Sequence, residues 1–402
     1  MNPMLVLFVI DGISKAFLAF ASLVLIKYLS ISEFAQFSVV FTASMMTYQI
    51  IGGIVERLYI SDHSNYQKQG GGGSFFLIVV FGVAVSGYIY LHADMRAAVF
   101  TLVLTYLCTK YQIQRVRQQK EERFFIYSFV DMLRNATWLV LLYLKFSVFE
   151  SVPYITNEFF ALATYALLAI FANALLYFIS GEATIKASSI RFYGAQFVSS
   201  AKYFLTRGDV VLYSIIGGAI PYYPFIIATV MRNEYLISTY GAAMRYQAIF
   251  SMAIMAVNTV VIARFCNRKD VIKAQIDSFY KVLPLALLCL FVAIGFIWWA
   301  IPYIDGGKYP GLQTAFVILS MCSAISLIST VAVNQLLAFN SYRVMLKGVF
   351  VGFMVMIAFT PMFNWVSVEL GPLLSMAAGY LVIALLMIWN ASKEKTLEST
   401  AG

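Results

Sequence analysis

Residues 23–59 read LVLIKYLSISEFAQFSVVFTASMMTYQIIGGIVERLY, in which one apolar run ends, a short polar turn follows, and a second apolar run leads to Glu56 and Arg57. With the residues that precede it, the first run covers 3–28, and the second covers 34–56. A helix needs about 20 apolar residues to cross the hydrocarbon core of a bilayer. The stretch therefore predicts two spanning helices joined by a short loop.

The rest of the chain repeats this pattern to its end. Its 402 residues are 61% hydrophobic and only 12% charged, with a mean hydropathy of +0.81, which leaves too little polar surface for a soluble protein. We predict an all-α polytopic membrane protein with about twelve spans, the first of them retained rather than cleaved as a signal peptide. The predicted spans are 3–28, 34–56, 75–91, 97–114, 124–145, 159–180, 194–218, 236–262, 279–301, 310–338, 343–366 and 370–391.

The positive charge of the chain lies mainly in the loops on one side of this arrangement. With a cytoplasmic N-terminus, eighteen Lys and Arg residues fall on the cytoplasmic side and five on the other. This bias is typical of cytoplasmic loops, so we predict that both termini are cytoplasmic. The net charge of +9 is thereby explained without nucleic acid as a partner.

Residues typical of catalytic or metal centres do not cluster in the sequence. The four cysteines form no CxxC pair, and the predicted topology places His63 and His92 on opposite sides of the membrane. No GxxxxGK[ST] phosphate-binding loop is present. We therefore expect neither an enzyme nor a metal or cofactor site.

Charged residues inside the predicted spans are the candidate functional residues. Each costs at least about 2.5 kcal/mol at a helix centre, so it should face protein or a hydrated cavity. Asp11 and Lys15 are i,i+4 and Asp131 and Arg134 are i,i+3, so each pair can partly neutralise itself. The surplus is positive and suits an anionic substrate such as a pyrophosphate, although structural ties between helices are the alternative. The embedded residues are Lys15, Arg134, Lys202, Arg207, Arg245, Asp11, Asp131 and Asp209.

The first two spans carry a pattern that resembles the Wzx-type O-antigen/polysaccharide flippase family, within the multidrug/oligosaccharidyl-lipid/polysaccharide exporter superfamily. Tyr28-Leu29 is followed after three residues by Glu33-Phe34, then by a small residue and Phe37, and the second span ends with Gly53 and Arg57. The resemblance implies two six-helix bundles, here 1–191 and 192–402, related as parallel repeats. Residues 235–242 loosely echo residues 28–36, as such a repeat would require.

The resemblance also implies a function. It would be translocation of an undecaprenyl-pyrophosphate-linked oligosaccharide, for O-antigen or a similar lipopolysaccharide or polysaccharide, across the bacterial cytoplasmic (inner) membrane by alternating access. Membrane lipid, a polysaccharide polymerase and a chain-length regulator are the expected partners. The resemblance places Lys15, Arg57, Lys202 or Arg207, and Arg245 toward a central cavity. Together with the embedded Arg134, the candidate head-group residues are Lys15, Arg57, Arg134, Lys202, Arg207 and Arg245. The embedded acids Asp11, Asp131 and Asp209 are the candidates for H⁺ or Na⁺ coupling.

Two other functions and one structural question stay open at this point. A multidrug or metabolite antiporter of the same superfamily would need an acidic cation site, and a membrane polysaccharide polymerase or ligase generally carries a large outer loop. Between the seventh and eighth spans, residues 219–234 (AIPYYPFIIATVMRNE) exceed what the first repeat needs. They are either a re-entrant or interfacial piece or a longer seventh helix, and Pro221 and Pro224 would break or kink it.

Overall fold

The computed structural model describes residues 3–61, 66, 73–120, 124–148, 156–179, 190–248, 250 and 272–401. Within these ranges the regular structure is entirely helical. Nine of the described helices are long and apolar enough to cross a membrane. In one of them, residues 279–305, only 11% of the most apolar 18-residue stretch is buried inside the protein. So much exposed apolar surface is stable only in lipid, and the chain is a multi-pass membrane protein.

The helices, labelled here in chain order, overlap all twelve predicted spans. They are α1 (Pro3–Tyr28), α2 (Ile31–Ser61), α3 (Gly73–Leu77, a π-helical turn at Ile78–Gly82, and Val83–His92), α4 (Met95–Lys120), α5 (Phe124–Ser147), α6 (Asn157–Ile179), α7N (Ile190–Thr206), α7C (Gly208–Val230), α8 (234–248), α9 (Ile272–Asp305), α10 (Leu312–Ala338), α11 (Tyr342–Asn364) and α12 (Gly371–Ala401).

The seventh predicted span, 194–218, is wrong in its position. The helix breaks at Arg207, whose φ of −103° and ψ of 36° are not helical, and the apolar segment long enough to cross the membrane is Gly208–Val230. A 3₁₀ turn at Ile220–Tyr222 precedes the last helical segment, Tyr223–Val230. Pro224 is therefore in a first turn, where its missing N–H removes no helical hydrogen bond. The longer seventh helix is the alternative that the structure adopts.

The turn between α1 and α2 explains the Glu33-Phe34 pattern in physical terms. The backbone N–H of Ser30 donates to Glu33 Oε2 at 2.8 Å, and the N–H of Glu33 donates to Ser30 Oγ at 3.2 Å, which is a reciprocal capping box. Asn157, the first residue of α6, donates to Glu33 Oε1 at 3.1 Å. Phe34 and Phe37 are fully buried. The pattern therefore starts α2 and joins it to α6.

The predicted echo of this pattern at residues 235–242 does not occupy an equivalent position. Tyr28 is the last residue of α1, whereas Tyr235 lies in the first turn of α8. The start of α8 is capped instead by Asn233, whose Oδ1 accepts from the N–H of Leu236 at 3.1 Å. The two helices thus begin with different capping residues.

The chain divides into two compact units: Met1–Tyr222 with Ala228–Gly241, and Tyr223–Ile227 with Ala242–Gly402. The first has an aromatic core in which Phe41, Trp138 and Tyr165 join α2, α5 and α6, with ring centroids 4.8–5.9 Å apart. In the second, a Cβ on Gly379 of α12 would meet Met356 of α11, so only glycine permits this approach of the helices. The predicted boundary after residue 191 concerns two six-helix bundles and stays a prediction.

Candidate functional site

The i,i+3 pair on α5 forms the ion pair that its spacing predicts. Arg134 Nη2 lies 2.8 Å from Asp131 Oδ1, and both side chains are about nine-tenths buried. The guanidinium lies over the rings of Tyr111 on α4 and Tyr165 on α6, 4.9 and 5.5 Å from their centroids. These contacts fix the Arg134 side chain among three helices of the first unit.

A neighbouring amide extends this network to α1. Asn135 accepts from Arg134 Nε at 3.3 Å and donates through Nδ2 to the backbone oxygen and to Oγ of Ser14, at 3.2 and 3.1 Å. Because Asp131 already offsets the charge of Arg134, this geometry favours a structural role for the pair. Head-group binding by Arg134 and ion coupling by Asp131 stay predictions.

Arg57 is held differently, near the end of α2. Its Nη1 donates to Oγ of Ser214 at 2.6 Å, and its guanidinium lies over the ring of Tyr213, 4.8 Å from the centroid. Both partners belong to α7C and are buried, whereas Arg57 is half-buried. The hydroxyl of Ser214 and the ring of Tyr213 both orient the guanidinium, and neither of these two groups carries a negative charge.

The contact that positions Arg57 runs along α2 and α7C. At Gly218 a Cβ would lie 2.6 Å from Cγ1 of Ile50, and further along α7C the hydroxyl of Tyr222 donates to Oε1 of Gln49 at 2.8 Å. Residue numbers fall along α2 as they rise along α7C, so the two helices are antiparallel. Gly218 allows the close approach that brings Ser214 to Arg57.

The shifted seventh span changes where three predicted residues lie relative to the apolar segment. Lys202 lies on α7N, before the apolar segment begins, and its side chain is exposed. Arg207 is half-buried at the break, and Asp209 lies in the first turn of α7C, where its Oδ1 accepts from the N–H of Val210 at 3.0 Å. An acid in a first turn is stabilised by the helix dipole. Along the chain, Asp209 thus lies in the first turn of the apolar segment, Arg207 directly before it, and Lys202 on the preceding helix.

Three predicted residues remain. Lys15 is half-buried on α1. The side chain of Asp11 lies outside the described residues, so the predicted Asp11–Lys15 pair stays a prediction. Arg245 is half-buried on α8 and belongs to the second unit. Of the predicted residues, Asp131 and Arg134 are the pair that the described part of the first unit brings into direct contact.

Sequence reasoning missed a cavity at the other end of the first unit. It has a volume of about 410 Å³ and is lined by the start of α2, the α3–α4 turn, the start of α6 and the α7C–α8 turn. Its ionisable lining residues are His92, Asp94, Glu158, Arg232 and Glu234. In the predicted topology, all four of these connections lie on the outer side of the membrane. Counting the spans from the N-terminus was therefore the signal that could have grouped these ionisable residues.

No protein-family model matches the chain, and no curated protein matches it. Solved structures do match its fold. A multidrug resistance MATE family transporter in the inward-facing conformation is 11% identical, with a TM-score of 0.64 over 96% of both chains. A mutant of the Vibrio cholerae MATE transporter VcmN is 13% identical, with a TM-score of 0.58 over 99% of both. The lipid II flippase MurJ, in an inward closed conformation, is 12% identical, with a TM-score of 0.70 over 96% of this chain and 87% of MurJ. At these identities, the chain shares with them a fold.

Proposed function

We propose that the chain is a flippase that carries an undecaprenyl-pyrophosphate-linked oligosaccharide across the bacterial cytoplasmic membrane by alternating access. The observation that carries this proposal is the setting of Arg57. A guanidinium oriented by an aromatic face and a hydroxyl, on a partly exposed side chain, presents donors that match the oxygens of a pyrophosphate.

Basic side chains of the first unit support an anionic substrate. Asp131 forms an ion pair with Arg134, and Asp209 stabilises a helix terminus. Three predicted cations of this unit are half-buried: Lys15, Arg57 and Arg207. A pyrophosphate loses hydration as it enters the membrane, and cationic side chains offset that cost.

We propose that these cations hold the pyrophosphate while the sugars stay hydrated and the polyprenyl tail stays in lipid. Alternating access would then expose the head group first to the cytoplasmic side and later to the outer side. The fold match to the lipid II flippase MurJ, with a TM-score of 0.70, supports a lipid-linked substrate in this proposal.

A multidrug antiporter is the second candidate, favoured by the MATE fold matches over nearly the whole chain. Reconstitution separates the two functions. Purified protein in liposomes should expose a fluorescent undecaprenyl-pyrophosphate trisaccharide to an external lectin faster than protein-free liposomes do. Ion-driven movement of a cationic dye, with no movement of the lipid-linked sugar, would overturn the flippase and favour the antiporter.

The same assay tests the role of Arg57 with a matched control. Arg57→Ala should abolish translocation, and Arg57→Lys should retain part of it because the charge is kept. Arg343→Ala removes an exposed arginine at the start of α11 and should translocate at the wild-type rate. Equal translocation by Arg57→Ala and Arg343→Ala would remove the observation on which the proposal rests.

A further inference from the structure

The missed cavity is built entirely by the ends of helices in the first unit. Its volume of about 410 Å³ lies within the range of about 300–1,000 Å³ that is usual for small-molecule sites. Asn157 is bonded to Glu33, which fixes the start of α6 against α2. Asp94 caps the start of α4, because its Oδ1 accepts from the N–H of Ala97 at 2.6 Å. Hydrogen bonds thus fix the starts of α4 and α6 beside the cavity.

Glu158 is the residue that points to a ligand. Its side chain lines the cavity although only 4% of the residue is exposed. Its Oε2 is buried and accepts no hydrogen bond from the described residues. The first turn of α6 favours its negative charge but supplies no donor to this oxygen. A buried carboxylate oxygen needs a donor, and a ligand in the cavity can provide one.

The charges around the cavity limit what that ligand is. Three acidic residues, Asp94, Glu158 and Glu234, line the cavity together with one arginine, Arg232, so the lining is net negative when His92 is neutral. An anionic ligand would be repelled. A multidentate metal ion is also disfavoured, because the described residues contain no group of three His, Cys, Asp or Glu spaced to hold one.

The other lining residues suit a saccharide. Phe159 lines the cavity beside Glu158, and its ring is supported by stacking on Phe100, 5.4 Å between centroids. Leu162 and Val40 add further apolar surface. Carboxylates accept hydrogen bonds from hydroxyl groups, while an aromatic ring packs against the apolar face of a sugar. This combination of hydrogen-bond acceptors and apolar groups matches a polyhydroxylated ring more closely than a purely hydrophobic molecule.

We propose that this cavity is a saccharide subsite that binds a neutral or amino sugar and excludes acidic sugars such as uronates. The role of the subsite in transport rests on the proposed function, in which it would receive a sugar of the head group on the outer side. The binding of a sugar to the subsite does not depend on that function, because a free sugar can bind without translocation. The subsite thereby sets which oligosaccharides the protein accepts.

Saturation-transfer NMR on the full-length protein in detergent tests the subsite. The panel contains the methyl glycosides of glucose, galactose, mannose and N-acetylglucosamine, together with glucosamine and glucuronate. At least one neutral or amino sugar should bind, and glucuronate should not. Glu158→Gln keeps the shape of the side chain and should weaken that binding about tenfold, the loss expected for one hydrogen bond to a charged group.

The control is Glu369→Gln, which removes an exposed carboxylate from the α11–α12 connection and should bind like wild type. Size-exclusion profiles verify that both variants are folded. If Glu158→Gln does not fold, Asp94→Asn is a second variant of the cavity lining. Binding of no sugar in the panel, equal binding of glucuronate, or unchanged binding in a folded lining variant would overturn the subsite and indicate a carboxylate that is only hydrated. Translocation of the lipid-linked trisaccharide by such a protein would leave the proposed function intact.

Discussion

The ion pair between Asp131 and Arg134 gives the sharpest energetic prediction. Both side chains are about nine-tenths buried, 2.8 Å apart. Removing one partner of a buried pair leaves an uncompensated charge and typically costs about 3–5 kcal/mol. Arg134→Met also loses contacts with two aromatic rings, which are worth up to about 2 kcal/mol when desolvated. We therefore expect Asp131→Leu and Arg134→Met each to destabilise the protein by at least about 3 kcal/mol.

The double variant should be far less damaged than the two single variants imply. Replacement of a whole buried pair by apolar residues is often neutral or stabilising, so the coupling energy of the cycle should reach about 2 kcal/mol or more. The assay is unfolding in mixed detergent–SDS micelles, followed by tryptophan fluorescence. Leu133→Met, on the exposed side of α5, is the control and should change stability little. Single variants that keep wild-type stability but lose translocation would refute the structural role and make Arg134 a head-group ligand.

Three further predictions follow from the described contacts. Glu33→Ala removes the capping box and the bond to Asn157 and should cost about 0.5–2 kcal/mol in the same unfolding assay; a larger loss in Glu369→Ala would contradict it. Lys202→Ala should leave translocation near the wild-type rate, because this exposed side chain precedes the apolar segment; a complete loss would return Lys202 to the head-group site. Burial, and then the charge of Asp305, raise the pKa of Tyr309 in the α9–α10 connection. Below about pH 10 this tyrosine is neutral in both the folded and the unfolded chain. As the pH rises above about 10 it ionises first in the unfolded chain, so the free energy of unfolding falls. Tyr309→Phe should remove this part of the loss of stability at alkaline pH.

The positions of most helices could be predicted from the sequence, because the length of an apolar run is the dominant constraint in a membrane. The spacing of Asp131 and Arg134 was likewise enough to predict their pairing. The predicted seventh span ended too early because Pro221 and Pro224 were expected to break the helix. In the structure, a 3₁₀ turn accommodates the first proline and the first turn of a helix accommodates the second. Arg207 consequently lies directly before the apolar segment rather than in the middle of it.

Side-chain partners across helices lay beyond sequence reasoning. Arg57 could be singled out by resemblance, but its contact with Ser214 depends on how α2 and α7C approach each other at Gly218. Glu158 was overlooked because it falls one residue outside the predicted sixth span, where an acid usually faces water. Only the packing of the neighbouring helix ends reveals that it is buried.

The central claim is that oriented cations of this chain hold a lipid-linked pyrophosphate, and direct binding tests it best. Native mass spectrometry of the purified protein with undecaprenyl pyrophosphate should detect a one-to-one complex with wild type and with Arg343→Ala. Arg57→Lys should bind more weakly, and Arg57→Ala should bind little. A complex equally abundant in Arg57→Ala, or absent from wild type at lipid concentrations where MurJ binds its own substrate, would contradict the claim.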